Sequence, residues 1–558
     1  MRRWIDLAAA LALSAAPLPA AAQDFGLSPP PRAASDWLAG KAPARPPATA
    51  WRPGDAVPPG IAPAPAATPR RPMSRTPGRG AVATSAAVPR VGVTRLSDGN
   101  PDTRGAVPAG AAGLPRDLWG PAPAADLAQA IAAAQPRLTA TRALLARMLT
   151  AQLAPPTGSA AGDEGRLFLA RVDRLIGLGL LPEAQALLLS AGAGDGDRFA
   201  RMLDLALYEG DATAACRKMT ERPGLAPGLA ARVYCLAQAG DWAAAALTLH
   251  GARDESLIAP QTVALLERFL DDSSADQTDA LPDPTSVTPL EFRLFEAIGQ
   301  PLGTGPLPLA FAWADIDGSS GWKAQIEAAE RLVRAGATDP ARLAEAYLAQ
   351  QPAASGGIWD RAGLYQQLNA ALGSGDSAAL AAALTQAEPV FGQAGLLPAL
   401  ARLIAPRLPS AGLDGAAAET AAHLRLLAGV PVPGAARLPD ADRALVALAE
   451  DHPAPETSPA PLAPEGAPPP YHGPRFPEGS PGAAYAQALA APPLPEPPAG
   501  GRGLALLRSI ADVDAALDGD TARAASGLRQ MIELGQRDVA LQAAVELLLD
   551  AHLGGLRR

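Results

Sequence analysis

The sequence predicts an all-α chain: an α-solenoid of antiparallel helical hairpins, interrupted by long disordered Pro/Ala-rich segments. Three observations predict it. Apolar residues recur at helical spacing through most of the chain, and no stretch keeps the period-2 alternation of Val, Ile and Tyr that a sheet needs. Gly179, Gly210 and Gly240 stand in register at intervals of 31 and 30 residues. Of 558 residues, 60 are Pro, and 34 of these crowd into two stretches, one before the helical text (24–115) and one within it (451–500).

One repeat explains the others. Phe199, Met202, Leu203, Ala206 and Leu207 fall at i, i+3, i+4, i+7 and i+8, one apolar stripe along a helix. Gly210 then supplies the left-handed conformation that ends a helix without a Cβ penalty. Asp211 follows as a candidate N-cap for the next helix. The Gly-Asp pair recurs at Gly240-Asp241, Gly375-Asp376 and Gly519-Asp520. A short link of this kind turns one Ala-rich helix back beside the last, and each hairpin buries its face only against its neighbours.

The stretches "RLIGLGLLPEAQALL", "LDLALYEGDATAA" and "VYCLAQAGDWAAAAL" resemble the tetratricopeptide-like superfamily of α-solenoids. That resemblance implies stacked hairpins and a surface that binds protein. Around Trp322, "GWKAQIEAAERLVRAGA" resembles exported Ala/Pro-rich bacterial helical proteins, with no activity attached.

In chain order, Arg2 and Arg3 precede an apolar run from Leu7 to Leu18, and Ala20, Ala21 and Ala22 supply small residues. This is the pattern of a secretory signal peptide over residues 1–22, cleaved after Ala22 so that Gln23 begins the mature chain. The run is too short to span a bilayer and holds Pro17 and Pro19. No Cys lies near the cleavage point to carry a lipid, and no later stretch reads as a transmembrane segment. The expected location is periplasmic or secreted.

Residues 23–115 read as a disordered Pro/Ala/Arg-rich segment, with 18 Pro between Asp24 and Pro115. Residues 24–115 carry 11 Lys/Arg against 5 Asp/Glu and residues 1–22 one net positive charge, so the chain's −9 leaves −16 on residues 116–558. Two roles for the basic tail stay open. One is weak contact with anionic envelope polymers. The other is a spacer whose Arg content follows base composition, since only Lys41, Lys218 and Lys323 occur among 47 basic residues. The acidic body points away from nucleic acid.

Residues 116–272 form the expected hairpin-repeat domain, opened by two or three helices. A polar, acidic linker (273–288) follows, then a second helical domain over 289–450. Asp451 to Gly500 holds 16 Pro, so residues 451–502 read as a second extended linker. Residues 503–558 close the chain with three amphipathic helices, "LALLRSIADVDAAL", "ARAASGLRQMIEL" and "DVALQAAVELLLDAH".

Chemistry-bearing motifs are sparse. His250, His423, His452, His472 and His552 are scattered, with no two at ligand spacing and no Cys pair of zinc type, so no metal site is expected. "DIDGSSG" opens like a calcium loop at Asp315, Asp317 and Ser319, then places Ser320 where Gly is needed and Ile326 where Glu is needed. Neither a phosphate-cradling loop nor a nucleophile elbow appears, so no catalytic or cofactor-binding residue is assigned and no cofactor is expected.

Two features remain. Cys216 and Cys235 flank the "ERPGLAP" turn and either pair as a disulfide or lie buried as thiols. Aromatic residues gather in the second helical block, either as its core or as a groove walled by Trp313, Trp322 and Trp359. The functional expectation is a non-enzymatic scaffold or adaptor for protein–protein interaction in the cell envelope. A peptidoglycan-active enzyme and a passive spacer are the alternatives.

Overall fold

The computed structural model describes residues 99–192, 195–271, 280–316, 320–450, 476–492 and 501–554. The expected signal peptide, the tail up to residue 98 and most of the second Pro-rich segment lie outside the described residues. Within them the chain forms 22 α-helices. The one sheet among the described residues is a two-residue parallel pair, Val107–Pro108 beside Ala151–Gln152. The protein is all-α, and no described helix is long and apolar enough to cross a membrane.

The glycine register has the expected physical origin: Gly179, Gly210 and Gly240 adopt φ of 74°, 86° and 82°. Asp241 accepts from the Ala244 amide at 3.1 Å, Asp376 from Ala378 and Ala379, and Asp520 from Arg523, each capping the helix that follows. Asp211 departs slightly, accepting from the Thr213 amide at 3.0 Å while Ala212 holds the cap position.

Among the described residues three large hydrophobic cores, and a small fourth one of Ala312, Ala328, Leu332 and Ala337, divide the molecule differently from the expected domains. The repeat core is built from Gly196–Glu209, Thr213–Glu221, Leu229–Gln238, Trp242–Asp254, Pro260–Leu270 and Pro289–Ala297, burying Phe199, Leu203, Val233, Leu266 and Leu294. Successive helices pack on one another, and the sixth packs back on the first. The boundary expected at 289 is therefore corrected. Pro289–Ala297 belongs to the repeat core because it buries Leu294 and Phe295 there, and its Glu291 accepts from the Thr262 hydroxyl at 2.7 Å.

The second core comprises Trp322–Arg334, Pro340–Leu348, Ile358–Ser374, Ser377–Gln393 and Leu397–Ile404, around Ile326, Tyr347, Leu368, Leu384 and Phe391. Its buried Glu330 accepts from the Tyr347 hydroxyl at 2.7 Å and from both guanidinium arms of Arg361 at 2.7 and 2.6 Å. A carboxylate with that many donors is tolerated away from water.

The third core is composite. Ala124–Ala133, Thr139–Thr150, Arg166–Gly177 and Leu181–Ala191 share it with Gly415–Ala428, Asp440–Glu450, Pro481–Leu489, Arg502–Asp514, Thr521–Glu533 and Arg537–His552. The last three helices, expected as a separate terminal unit, instead pack on the first ones: Arg537–His552 lies against Thr139–Thr150, and Arg502–Asp514 against Ala124–Ala133. An open solenoid has contacts only between neighbouring repeats. Here helices from the two ends of the folded region meet.

Two segments expected to be extended are ordered where they are described. Residues 99–115, placed in the disordered tail, bury Asp102, Ala112 and Leu114. Asp102 accepts from the Gly165 and Phe168 amides at 3.1 and 2.7 Å, capping Arg166–Gly177 from 63 residues away. In the expected 451–502 linker, Ser480 and Pro481 start the helix Pro481–Leu489, which buries Tyr485 and Leu489. Proline at the first helical position favours a helix because its missing N–H is an unpaired group there anyway.

Candidate functional site

The helices Leu181–Ala191, Gly196–Glu209 and Thr213–Glu221 line a groove of about 540 Å³. Its apolar lining comes from Leu188, Leu189, Met202, Leu205 and Ala206. Its charged lining is mixed, with Glu209, Asp211 and Glu221 among Arg217, Lys218 and Arg222. Leu189 is 66% exposed, unusual for a large aliphatic residue in this protein. It stands off the stripe of Leu181, Ala184, Leu187 and Leu188 that its helix buries. The sequence signal was the run of three Leu at 187–189, one more than a buried face can use.

Cys216 is on Thr213–Glu221, one of the helices that line this groove, and Cys235 is on the next helix, Leu229–Gln238. Their sulfur atoms are 2.01 Å apart and their Cα atoms 4.9 Å, so the two helices are joined covalently inside the repeat core. The bond fixes one wall of the groove to the body of the repeat.

The three tryptophans do not share one wall. Trp322 and Trp359 meet with ring centroids 5.0 Å apart and pack on the second core, where Trp322 donates to the Ala346 carbonyl at 2.7 Å. Trp313 packs on the composite core and donates to the Gly179 carbonyl at 2.7 Å. The other rings of the block, including Phe295, Phe311, Tyr347 and Phe391, are buried and serve as core.

A second cleft, of about 260 Å³, lies where the first helices meet the second core and is lined by Arg137, Arg142, Arg334 and Arg402 with Leu178 and Val333. Four guanidinium groups in an acidic protein suggest an anion site, but these are engaged by the chain itself. Arg142 donates to the Arg334 carbonyl at 2.6 Å, Arg334 to the Ala394 carbonyl at 2.6 Å, and Arg137 to Asp518 at 2.7 Å. Arg402 lies 3.8 Å from Asp339. The cleft is a joint between helical blocks.

One set of metal-ligating side chains converges, although its sequence spacing gave no sign of it: His423, Asp442 and His552. The His423 ring lies between Asp442 and Glu388. Burial acts to lower its pKa, yet the hydrogen bonds and charges of those two carboxylates outweigh it and hold the value at about 9. The same ring, with His552, keeps Asp442 below the ordinary carboxylate range against its own burial. Asp315 of the calcium-like stretch accepts from the hydroxyls of Thr304 and Ser320, as a turn residue does.

No family model, curated protein or solved structure matches the chain.

Proposed function

We propose that the protein is a non-enzymatic helical-repeat scaffold or adaptor of the cell envelope that binds a protein partner through the groove beside Leu189. One observation carries the reading: an apolar groove on the repeat, open at Leu189 and edged by charges of both signs. Apolar contact supplies affinity at such a surface, and the charges around it set register and partner choice. Location in the envelope is supported by the signal-like pattern of residues 1–22 and by the joined pair Cys216–Cys235, because disulfides persist in oxidising compartments.

The test is photo-crosslinking in cells from a reactive residue placed at Gln185 on the groove, with and without Leu189→Glu. Leu189 faces solvent, so the substitution is expected to leave the melting temperature unchanged. It is expected to weaken the crosslinked adduct by about 30-fold, the effect of losing an interfacial anchor. Adducts that form equally well with Leu189→Glu would reject the groove as the binding surface. Release of soluble fragments from purified peptidoglycan by the intact protein would reject the non-enzymatic reading.

A further inference from the structure

Two successive α-helices and the last described helix of the chain converge at one point. His423 is on Gly415–Ala428, Asp442 on Asp440–Glu450, and His552 is the last residue of Arg537–His552, which packs on both others. His423 Nε2 lies 3.1 Å from Asp442 Oδ1, and His552 Nε2 lies 3.3 Å from the same oxygen. One ligand atom from each residue falls within 4.8 Å of the others. We propose that His423, Asp442 and His552 bind one divalent transition-metal ion of the zinc class, with Glu388 as the positioning residue for His423.

Three features separate this cluster from an ordinary ion pair. The first is the orientation of His423. Its Nδ1 is taken by Glu388 Oε1 at 2.6 Å, and Glu388 Oε2 is held in turn by the Thr420 hydroxyl at 3.1 Å. A carboxylate on the far ring nitrogen fixes the ring and raises the basicity of Nε2, the usual support of a metal-bound histidine.

The second is an unpartnered oxygen. Asp442 is 1% exposed and both imidazoles crowd its Oδ1, while its buried Oδ2 has no hydrogen-bond partner. A carboxylate serving two imidazoles by hydrogen bonds alone would divide them between its oxygens, because a buried acceptor left alone is costly. A cation among the three side chains offsets that cost.

The third is size. Tetrahedral ligands about 2.0–2.1 Å from zinc are separated from one another by about 3.3 Å, close to the two Nε2–Oδ1 distances seen here. Two imidazoles and one carboxylate suit zinc and its neighbours better than calcium or magnesium, which prefer oxygen ligands. On binding, the ion takes the place of the Nε2 proton of His423, which leaves to solvent. His552 is 38% exposed, so the cluster lies at the edge of the core, within reach of an ion from solvent. The ion would tie the last helix of the composite core to helices 415–428 and 440–450, independently of the repeat groove.

The experiment uses the full-length, untagged protein stripped with a chelator and titrated with ZnCl₂ by calorimetry, then with CoCl₂ by visible absorption. One saturable site per chain is expected, with the intense bands of tetrahedral cobalt and a higher unfolding temperature in the presence of zinc. His552→Ala, at a half-exposed helix end, should melt normally without metal and lose at least about 100-fold in zinc affinity. Asp442→Asn, which conserves shape, should abolish the cobalt bands. Glu388→Gln should weaken zinc about 10–100-fold, as loss of an outer-shell partner does, while leaving the site tetrahedral. Absence of a saturable site in the wild-type chain overturns the proposal. So does zinc binding retained in both His552→Ala and Asp442→Asn, which would place the ion on His250, His452 or His472.

Discussion

The side-chain caps of the repeat core come from residues beside the helix, whereas two opening helices of the composite core, Thr139–Thr150 and Arg166–Gly177, are capped from far away. Gly196–Glu209 begins at Asp195, which accepts from the Arg198 amide at 2.8 Å, and Trp242–Asp254 begins at Asp241. Thr139–Thr150 has no capping side chain of its own. Its first amides, Thr139 and Ala140, are taken by Glu546 at 2.8 and 3.1 Å, from 407 and 406 residues away. Asp514 takes the Arg137 amide at 2.5 Å and the Thr141 hydroxyl at 3.1 Å. The repeat core therefore assembles from contacts short in sequence. The composite core must close a loop of most of the chain before those caps form, an entropic cost that grows only slowly with length. The polar groups that make the closure specific are buried and charged, and each is costly if left alone.

The strongest way to break the comparison is at Arg171. It is fully buried and donates to the carbonyls of Leu149, Ala151 and Arg104 at 2.7, 2.7 and 2.8 Å. Burial lowers its pKa to about 10, partly offset by Asp102, so it stays charged at neutral pH. Arg171→Met leaves three carbonyls without this donor at about 1–3 kcal/mol each, so a loss of about 3–9 kcal/mol is expected. The counterpart in the repeat core is Cys216→Ala with Cys235→Ala, which releases a loop with a sequence separation of 19. Its expected loss is roughly 3 kcal/mol on the chain-entropy account. Hydrogen exchange by mass spectrometry distinguishes the two. Arg171→Met should expose residues 99–191 and 502–549 together, and the cysteine variant residues 199–297. If Arg171→Met loosened only the helix that carries it, the composite core would not be one cooperative unit.

These two regions also divide what the sequence made legible. Stripes such as Phe199–Leu203–Leu207 and the Gly-Asp turns announce helices and their ends through local chemistry. The composite core was not legible, because nothing in the helices that carry Arg171, Asp514 and Glu546 marks these charges as buried. Only their partners far along the chain make them structural. Helix Pro481–Leu489 was hidden by proline content, although Ser480-Pro481 is itself a helix-start signal. The cluster of His423, Asp442 and His552 was invisible for the same reason as the composite core: ligand spacing is read along the chain, and this set is assembled across it. The groove was not legible, because exposed Leu189 could not be told from its buried neighbours Leu187 and Leu188.

A smaller effect sharpens the comparison through pH. Burial raises the Asp514 pKa from 3.8 to about 6, against the opposing pull of its hydrogen bonds from Arg137 and Thr141. The folded chain thus holds this proton more tightly than the unfolded chain does. The associated stability is fully present below about pH 4 and is lost as pH rises through 6, on the order of 2–3 kcal/mol in all. Asp514→Asn removes the titration while retaining one acceptor. The difference in unfolding free energy between wild type and variant, measured by denaturant from pH 4 to 7, should move against the wild type across that window. A difference that stayed constant with pH would show that Asp514 does not titrate there, and that its cap is made by the charged form throughout.

The smallest effect compares one turn in two settings. Gly179 and Gly240 end corresponding helices with nearly the same backbone, φ 74° and 82°. At Gly240 an added Cβ meets nothing within 4 Å, so Gly240→Ala carries only the left-handed penalty of about 1 kcal/mol. At Gly179 the same carbon would stand 2.9 Å from Leu309 Cγ and 3.2 Å from Ala337 Cβ. Its carbonyl also holds the Trp313 indole. Overpacking of that kind adds at least about 1 kcal/mol, so Gly179→Ala is expected to lose about 2 kcal/mol. The turn at Gly240 answers only to its own backbone, whereas the turn at Gly179 is also a packing site for the segment around Leu309. Thermal unfolding of the two variants reads the gap directly. Equal shifts would mean that Leu309 withdraws without cost, and that the first repeat is as loosely attached at this turn as the third.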